Sequence, residues 1–537
     1  MNNYQIENQI CTLNFYLNRS SDIKNEQMYV YIDNLFYSIT KNVNENTHTY
    51  LHTLYKMLFQ TRDCLFGRGE KQISYLFICV FYKYFYQHAI HALYSFCTYY
   101  GCWADIKYFC RFVKDFKYLT ENIKNKLTSL AIDMMIYQFD IDYTHWNHSL
   151  NSYLERKTLS TRPYAPDYIT LVAKWIPRES SSFQWLFEKI VERYYYIHCP
   201  HFFHESSDIK MNTKKWNEMK MNFRKKVISL SKELEVPQRY MSSKRPEELT
   251  SKNVSLQTCI RQSKYLSKTN ENNQPLCPEF CEYIDDEDLY INTHSKKNIN
   301  ISLDILVKKG FNLINSVYNN NTERQMRIIN NTWTKIVKNM NFSLSVIPIV
   351  DLSGPQKYNA IGLGVLMAQI STYKKMIIVE NDFQIINISE NESFIDILRT
   401  FFEYKCIFFN ISYTFSCLFK QHNMSHVDPM SYVVLSSETN IIKNQESIYN
   451  LYDKNVFVVF WNVLNNDDLI RNLYLDKFWY MSGTTPNLLY NLKNEKYNKD
   501  FIKLHQNFNI LNNSLSMYEF THKYPFEINN NLITHFL

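Results

Sequence analysis

The stretch Val346-Ile-Pro-Ile-Val-Asp351-Leu-Ser353-Gly354-Pro355-Gln356, followed by Ile361-Gly362-Leu363-Gly364, decides how the chain is read. A short apolar run rich in β-branched residues ends in a carboxylate. A Gly-Pro turn follows, and then a longer apolar segment. That succession predicts strand, turn and helix, with the strand over 342–350 and the helix over about 358–370. Outward from it, further strands are expected at 375–379, 432–435 and 456–460, with helical stretches between them. Two helices near 302–318 and 324–339 lead into this region. Strands alternating with helices imply an α/β domain, doubly wound around a mostly parallel sheet. In such sheets ligands sit at the carboxyl ends of strands, which is where Asp351 lies.

The first 250 residues read differently. Apolar residues recur every three or four positions, with few glycines and prolines, so an all-α bundle or helical-repeat domain is expected over 1–250. No repeat of fixed period is visible. The clearest helix covers 214–235, where Trp216, Met219, Phe223, Val227, Leu230 and Leu234 form one stripe and Pro237 stops the helix. Residues 251–300 are polar and mixed, and read as a linker or insertion before the α/β domain of 301–537.

Composition bounds the function. Aromatics make up 16% of the 537 residues, which excludes a wholly disordered chain. A net charge of +7 is too small on its own to declare a nucleic-acid binder. Twelve cysteines without regular pairing do not form a secreted disulfide framework. Residues 1–10 lack the apolar core of a signal peptide, and the most apolar stretch, 73–100, is broken by Lys83, His88 and His91. An intracellular, cytoplasmic protein without a membrane span is expected.

Only 8 glycines are present, so each marks a backbone requirement. Gly67, Gly69 and Gly101 fall in two N-terminal motifs, and Gly354, Gly362 and Gly364 crowd the strand-turn-helix. The motifs are Thr61-Arg62-Asp63 with Gly67-Arg68-Gly69-Glu70, then Gly101-Cys102-Trp103-Ala104-Asp105, then Lys174-Trp175-Ile176-Pro177-Arg178-Glu179. Together with Asp351-x-Ser353, Phe460-Trp461-Asn462 and Ser482-Gly483, they resemble the family named domain of unknown function 2828. Its members pair a helical region with a von Willebrand factor A-like domain and occur in plants, fungi and large DNA viruses. The architecture is similar, more distantly, to the Ro ribonucleoprotein autoantigen, which binds small RNAs. The resemblance implies a virion or viral factory as a further location.

The resemblance also implies a Mg²⁺ site of the Asp-x-Ser-x-Ser type, held by Asp351, Ser353 and a hydroxyl at Ser412, with Thr414 close by. This chain departs from that pattern. Pro355 stands at the third position, and Leu435-Ser436-Ser437-Glu438 puts Ser437 where an acidic residue is expected. The ligands that remain would hold Mg²⁺ weakly, so the site is read as degenerate and no cofactor is expected.

Other chemistry is thinly represented. His198-Cys199-Pro200-His201-Phe202-Phe203-His204, with Cys277 and Cys281, matches no zinc-ligand spacing. Neither a Gly-x-Ser-x-Gly elbow nor a phosphate loop is present, so no enzyme and no small-molecule substrate are expected. The basic balance is local: residues 206–268 carry 15 Lys or Arg against 6 Asp or Glu, a difference of about +9. On the helix at 214–235, Lys214, Lys215, Lys220, Arg224, Lys225, Lys226 and Lys232 mostly avoid the apolar stripe. They form a face that would track phosphates or simply meet water. The motif at 174–179 reads as a helix junction, with Trp175 packed and Pro177 starting the next helix. Two readings stand: a binding scaffold with RNA as the preferred partner, or a protein–protein or structural component of a viral particle or factory.

Overall fold

The computed structural model describes residues 3–18, 25–64, 67–155, 169–200, 213–234, 302–353, 356–379, 383–389, 392–401, 431–436, 457–462, 479–482 and 508–515, most of 254–286, and single positions between these stretches. The first helices are α1 (Asn3–Asn18), α2 (Asn25–Lys41), α3 (Thr47–Arg62), α4 (Gln72–Tyr84), α5 (Tyr86–Ser95), α6 (Ala104–Asp115), α7 (Glu121–Glu155), α8 (Val172–Trp175), α9 (Gln184–His198) and α10 (Thr213–Glu233). Next come α11 (Leu256–Arg261), α12 (Ser263–Leu266), α13 (Pro278–Asp285), α14 (Leu303–Ile314) and α15 (Asn320–Asn339). The remainder interleaves β1 (Val346–Asp351), α16 (Lys357–Ile370), β2 (Lys375–Val379), β3 (Phe383–Asn387), α17 (Phe394–Thr400), β4 (Ser431–Ser436), β5 (Phe457–Asn462), β6 (Trp479–Ser482) and α18 (Phe508–Ser514). The chain forms two compact units.

One unit comprises Met1–Gln60, Cys64–Gly69 and Arg245–Ser516. Its centre is a six-stranded sheet in the order β3-β2-β1-β4-β5-β6. All neighbours are parallel except β2 and β3, which are antiparallel. β1 is buried at every residue, as a central parallel strand covered on both faces must be. Helix α16 lies close enough to β1 that a Cβ on Gly364 would collide with the Val350 side chain, and Gly362 faces Leu303 and Val307 of α14. Trp333 of α15 stacks on Phe394 of α17, with ring centres 3.8 Å apart, and its Nε1 donates to Gln369 Oε1 at 2.6 Å. A helical region plus a mostly parallel α/β sheet is the architecture expected. Strands β3 and β6 are additions to the strands read from sequence.

The partition of the chain is finer than 1–250, 251–300 and 301–537. Residues 1–60 group with the sheet, because α3 docks on α18. Tyr50 meets Phe508 edge-on at 5.3 Å, and Thr53 Oγ1 and Lys56 Nζ both donate to Asn512 Oδ1, at 3.1 and 3.2 Å. The described part of 251–300 is packed rather than linker-like. Cys259, Cys277, Phe280 and Tyr283 are buried, and Asn331 of α15 donates to the Ile284 carbonyl at 2.8 Å.

The other unit comprises Thr61–Asp63, Glu70–Lys244 and Met517–Leu537, and its described residues are helical. The apolar stretch 73–100 becomes the helix pair α4 and α5, closed by a π-turn at Phe96–Tyr100. Helices α7, α9 and α10 share an aromatic cluster. Phe223 of α10 meets Phe139 at 5.5 Å and Tyr194 at 4.9 Å, burying the Met219, Phe223 and Leu230 stripe seen in the sequence. Among the described residues no helix is long and apolar enough to cross a membrane.

Candidate nucleic-acid interface

Helix α6 is set in place by a buried polar latch. Asp105 accepts from Arg62 Nη2 at 2.6 Å, from Arg62 Nε at 3.2 Å, from Tyr75 Oη at 2.6 Å and from the Cys102 amide at 2.9 Å. A carboxylate taken out of water needs this degree of satisfaction. Gly101 is required beside it, since a Cβ there would strike both the Asp105 carboxylate and the Arg62 guanidinium. Trp103 is buried and meets Tyr94 edge-on at 6.3 Å. The motifs at 61–63 and 101–105 are thus two halves of one structural clamp.

With that end fixed, helical periodicity divides α6. Ile106, Phe109, Cys110 and Val113 turn inward. Lys107, Tyr108, Arg111 and Lys114 lie on the remaining face at three- and four-residue spacing. Asp142 of α7 then positions the chain that completes this face. It is buried, and accepts from the Thr170 amide at 3.0 Å and from Thr170 Oγ1 at 2.6 Å, just ahead of Lys174 and Trp175. Burial raises the Asp142 carboxyl above the usual carboxylate range, against the pull of these hydrogen bonds.

The outcome is a face of interleaved cations and rings, with Tyr108 exposed, Trp175 and Trp185 half-buried and Phe183 buried beneath them. Lys107 Nζ lies 4.9 Å from the Tyr108 ring centre, 5.2 Å from Trp175 and 5.0 Å from Phe183. Lys71 lies 4.9 Å from Tyr108, Arg111 lies 5.3 Å from Phe183 and Lys114 lies 4.5 Å from Trp185. All are within the roughly 6 Å range of cation–π attraction. Only Arg111 has a carboxylate partner among the described residues, Asp115 at 3.7 Å, and both are exposed. Burial, and then the neighbouring Lys71 charge, pull Lys107 below the usual lysine range.

The basic face expected on α10 is divided by its partners. Lys220 and Arg224 both bind Glu179, at 2.7 and 2.8 Å. Those cations, the Lys220 hydrogen bond foremost, hold the Glu179 carboxyl below its usual value. Lys226 donates to Tyr194 Oη at 2.8 Å and lies over the Tyr143 and Tyr194 rings. Lys215 is half-buried. Lys214, Lys225 and Lys232 are exposed and meet no acid among the described residues. At about 3.6 residues per turn they share one side of the helix.

Asp351 ends β1 at the point where strand order turns from β2 on one side to β4 on the other. Its Oδ1 accepts from the Ser353 amide at 2.8 Å and from Ser353 Oγ at 2.5 Å, and Ser436 Oγ at the end of β4 donates to its Oδ2. From the end of β4, then, Ser436 reaches Asp351. Ser412, Ser437, Gly354 and Pro355 lie outside the described residues. The described donors are one carboxylate, with both oxygens occupied, and two neutral hydroxyls. That is a poor set for Mg²⁺, which needs hard oxygen ligands in octahedral array.

The remaining motif residues take structural places. Gly69 has φ 68°, in the left-handed region that favours glycine. Beside it Arg68 is buried and donates to Asn14 Oδ1 at 3.0 Å and to Gln60 Oε1 at 3.2 Å. Gly67 and Asp63 are buried. Pro177 lies in the turn between α8 and α9, and α9 begins only at Gln184, so proline does not open that helix. His198 pairs with Asp140 at 2.8 Å, while 201–204 lie outside the described residues. No group of three potential metal ligands occurs among the described residues. The face on α6 escapes sequence reading because Trp175, Phe183 and Trp185 join it from separate segments. Its local signals are the adjacencies Lys107-Tyr108 and Lys174-Trp175. Comparison with known proteins finds no family model that matches this chain, and no curated protein matches it.

Proposed function

We propose that this protein is a non-enzymatic scaffold that binds single-stranded RNA, with the α6 face as its main contact surface. One observation carries the reading: Lys107 sits among three aromatic rings, flanked by Lys71, Arg111 and Lys114, and among the described residues Asp115 is the one carboxylate paired with these cations. Cations track a phosphate backbone, and the exposed Tyr108 ring with the half-buried Trp175 and Trp185 rings offers faces for stacking bases without regard to sequence, over a floor formed by the buried Phe183. Lys214, Lys225 and Lys232 on α10 extend the positive surface.

The unit built on the six-stranded sheet is read as the A-like module of the family that the motifs resemble. The doubly wound strand order, with Asp351 at the switch point, supports this. Its loops would engage a partner without a structural cation. The alternative, a protein–protein component of a viral particle or factory, draws on Met221 and Ile228, which are exposed on α10 between Lys214, Lys225 and Lys232.

Filter binding of a single-stranded RNA across a salt series tests the reading. The three cations of the α6 face without a carboxylate partner among the described residues, Lys71, Lys107 and Lys114, predict a slope of about −2 in log affinity against log salt. Absence of RNA affinity at low salt, together with a stoichiometric protein partner that survives nuclease treatment, would replace RNA with the protein–protein reading.

A further inference from the structure

The turn between α8 and α9 borders a cavity of about 640 Å³, within the unit whose described residues are helical. That is ample for a nucleotide-sized ligand, since small-molecule sites run from roughly 300 to 1,000 Å³. Three cations line it: Lys174, Arg178 and Arg224. Its apolar wall includes Ile176, Phe187 and Val227.

The charges do not cancel. Glu179 is the carboxylate on the wall, and it is already engaged by Arg224 and by Lys220. Lys174 and Arg178 have no acidic partner among the described residues. Lys174 is half-buried over its neighbour Trp175, 5.6 Å from the ring centre. Arg178 is exposed at the rim, and its backbone carbonyl is held by Ser181 Oγ at 2.7 Å. Burial draws Lys174 below the usual lysine range, as expected for an ammonium that has lost water without gaining a counter-ion.

We infer that this cavity binds the phosphate monoester of a nucleotide-sized ligand, with Lys174 and Arg178 on the phosphate and the apolar wall against the remainder. Two uncompensated cations call for a dianion. A phosphate monoester carries about −1.5 to −2 at neutral pH, whereas a carboxylate carries one charge. A guanidinium also matches two phosphate oxygens at once, and an ammonium adds a point charge. The inference goes beyond RNA binding by the α6 face, because it rests on the cavity residues alone. The same phosphate could arrive on a free mononucleotide or on the 5′ end of a strand.

The test is calorimetric titration of the full chain, without RNA, using uridine 5′-monophosphate, uridine and inorganic phosphate. The monophosphate is expected to bind and uridine is not. Arg178→Gln and Lys174→Met are each expected to weaken it about tenfold or more, the cost of one charge-assisted hydrogen bond. Arg178 is exposed, so its variant keeps the fold, and the methionine keeps the apolar stem of Lys174. A second arm compares RNA oligonucleotides with 5′-phosphate and 5′-hydroxyl ends. Tighter binding of the phosphorylated strand assigns the site to strand ends, and equal binding assigns it to free nucleotides. The inference is overturned if the monophosphate does not bind, or if both variants bind it as tightly as the parent chain does. Neither result alters the salt-dependent RNA titration, which stands or falls separately.

Discussion

The Arg62 guanidinium and the Asp105 carboxylate form a buried pair, 2.6 Å apart at Nη2 and Oδ2, with side chains 1% and 0% exposed. Tyr75 and the Cys102 amide complete the carboxylate's shell. Removing one partner strands a charge in the interior. Arg62→Met is therefore expected to destabilise the protein by about 3–5 kcal/mol in urea unfolding. Replacing both partners with apolar residues should cost less than Arg62→Met alone. A loss below about 1 kcal/mol for Arg62→Met would mean that the latch is not structural.

The α6 and α10 surfaces should separate by mutation. Lys107→Met and Tyr108→Ala are each expected to weaken RNA binding by about 1–3 kcal/mol, and Lys107→Met should also flatten the salt slope by roughly 0.7. Lys220→Met breaks a tie to Glu179, so its effect should appear in thermal stability more than in RNA affinity. Equal loss of affinity from Lys220→Met and Lys107→Met would contradict this division.

Lys335 provides a pH signature. It is 2% exposed, and burial lowers its pKa to about 8, against the opposing pull of Cys259. Between that value and about 10.4, the ordinary lysine pKa, the unfolded chain holds a proton that the folded chain does not. Stability from this residue therefore rises with pH across the window, and the burial penalty is present in full below it. Chemical denaturation of the protein and of Lys335→Met should show the gap between them changing in the parent's favour from pH 8 to pH 10. A gap independent of pH would refute the assignment.

Asp351 should behave as a structural acceptor. Asp351→Ala is expected to lower stability by about 1–3 kcal/mol through the loss of its hydrogen bonds to Ser353 and Ser436. Millimolar Mg²⁺ should leave the melting temperature unchanged. A Mg²⁺-dependent rise that Asp351→Ala abolishes would restore the metal site.

Local pattern made much of the fold legible, and distance along the chain hid the rest. The β1–α16 turn announces itself through Val346–Asp351 and the glycines that follow, because strand and helix differ in period. The buried stripe of α10 is readable for the same reason. The resemblance sets 435–438 beside Asp351, but that Ser436 bonds to it depends on the register of β4 against β1, which no local pattern carries. The grouping of 1–60 with the sheet depends on Asn512, a polar residue with nothing local to mark it. The α6 face was hidden because Lys107 and Arg111 look like any solvated helix surface until Trp175 and Phe183 arrive from another segment. Conversely, Lys220 and Arg224 look free in the sequence, and Glu179 claims them both.

Photo-crosslinking tests the central claim most directly. A single-stranded RNA carrying 4-thiouridine, irradiated in complex with the full chain and mapped by mass spectrometry, should label peptides containing Tyr108, Trp175 or Trp185. Crosslinks confined to α10 or to the sheet unit, with the α6 face unlabelled, would contradict it.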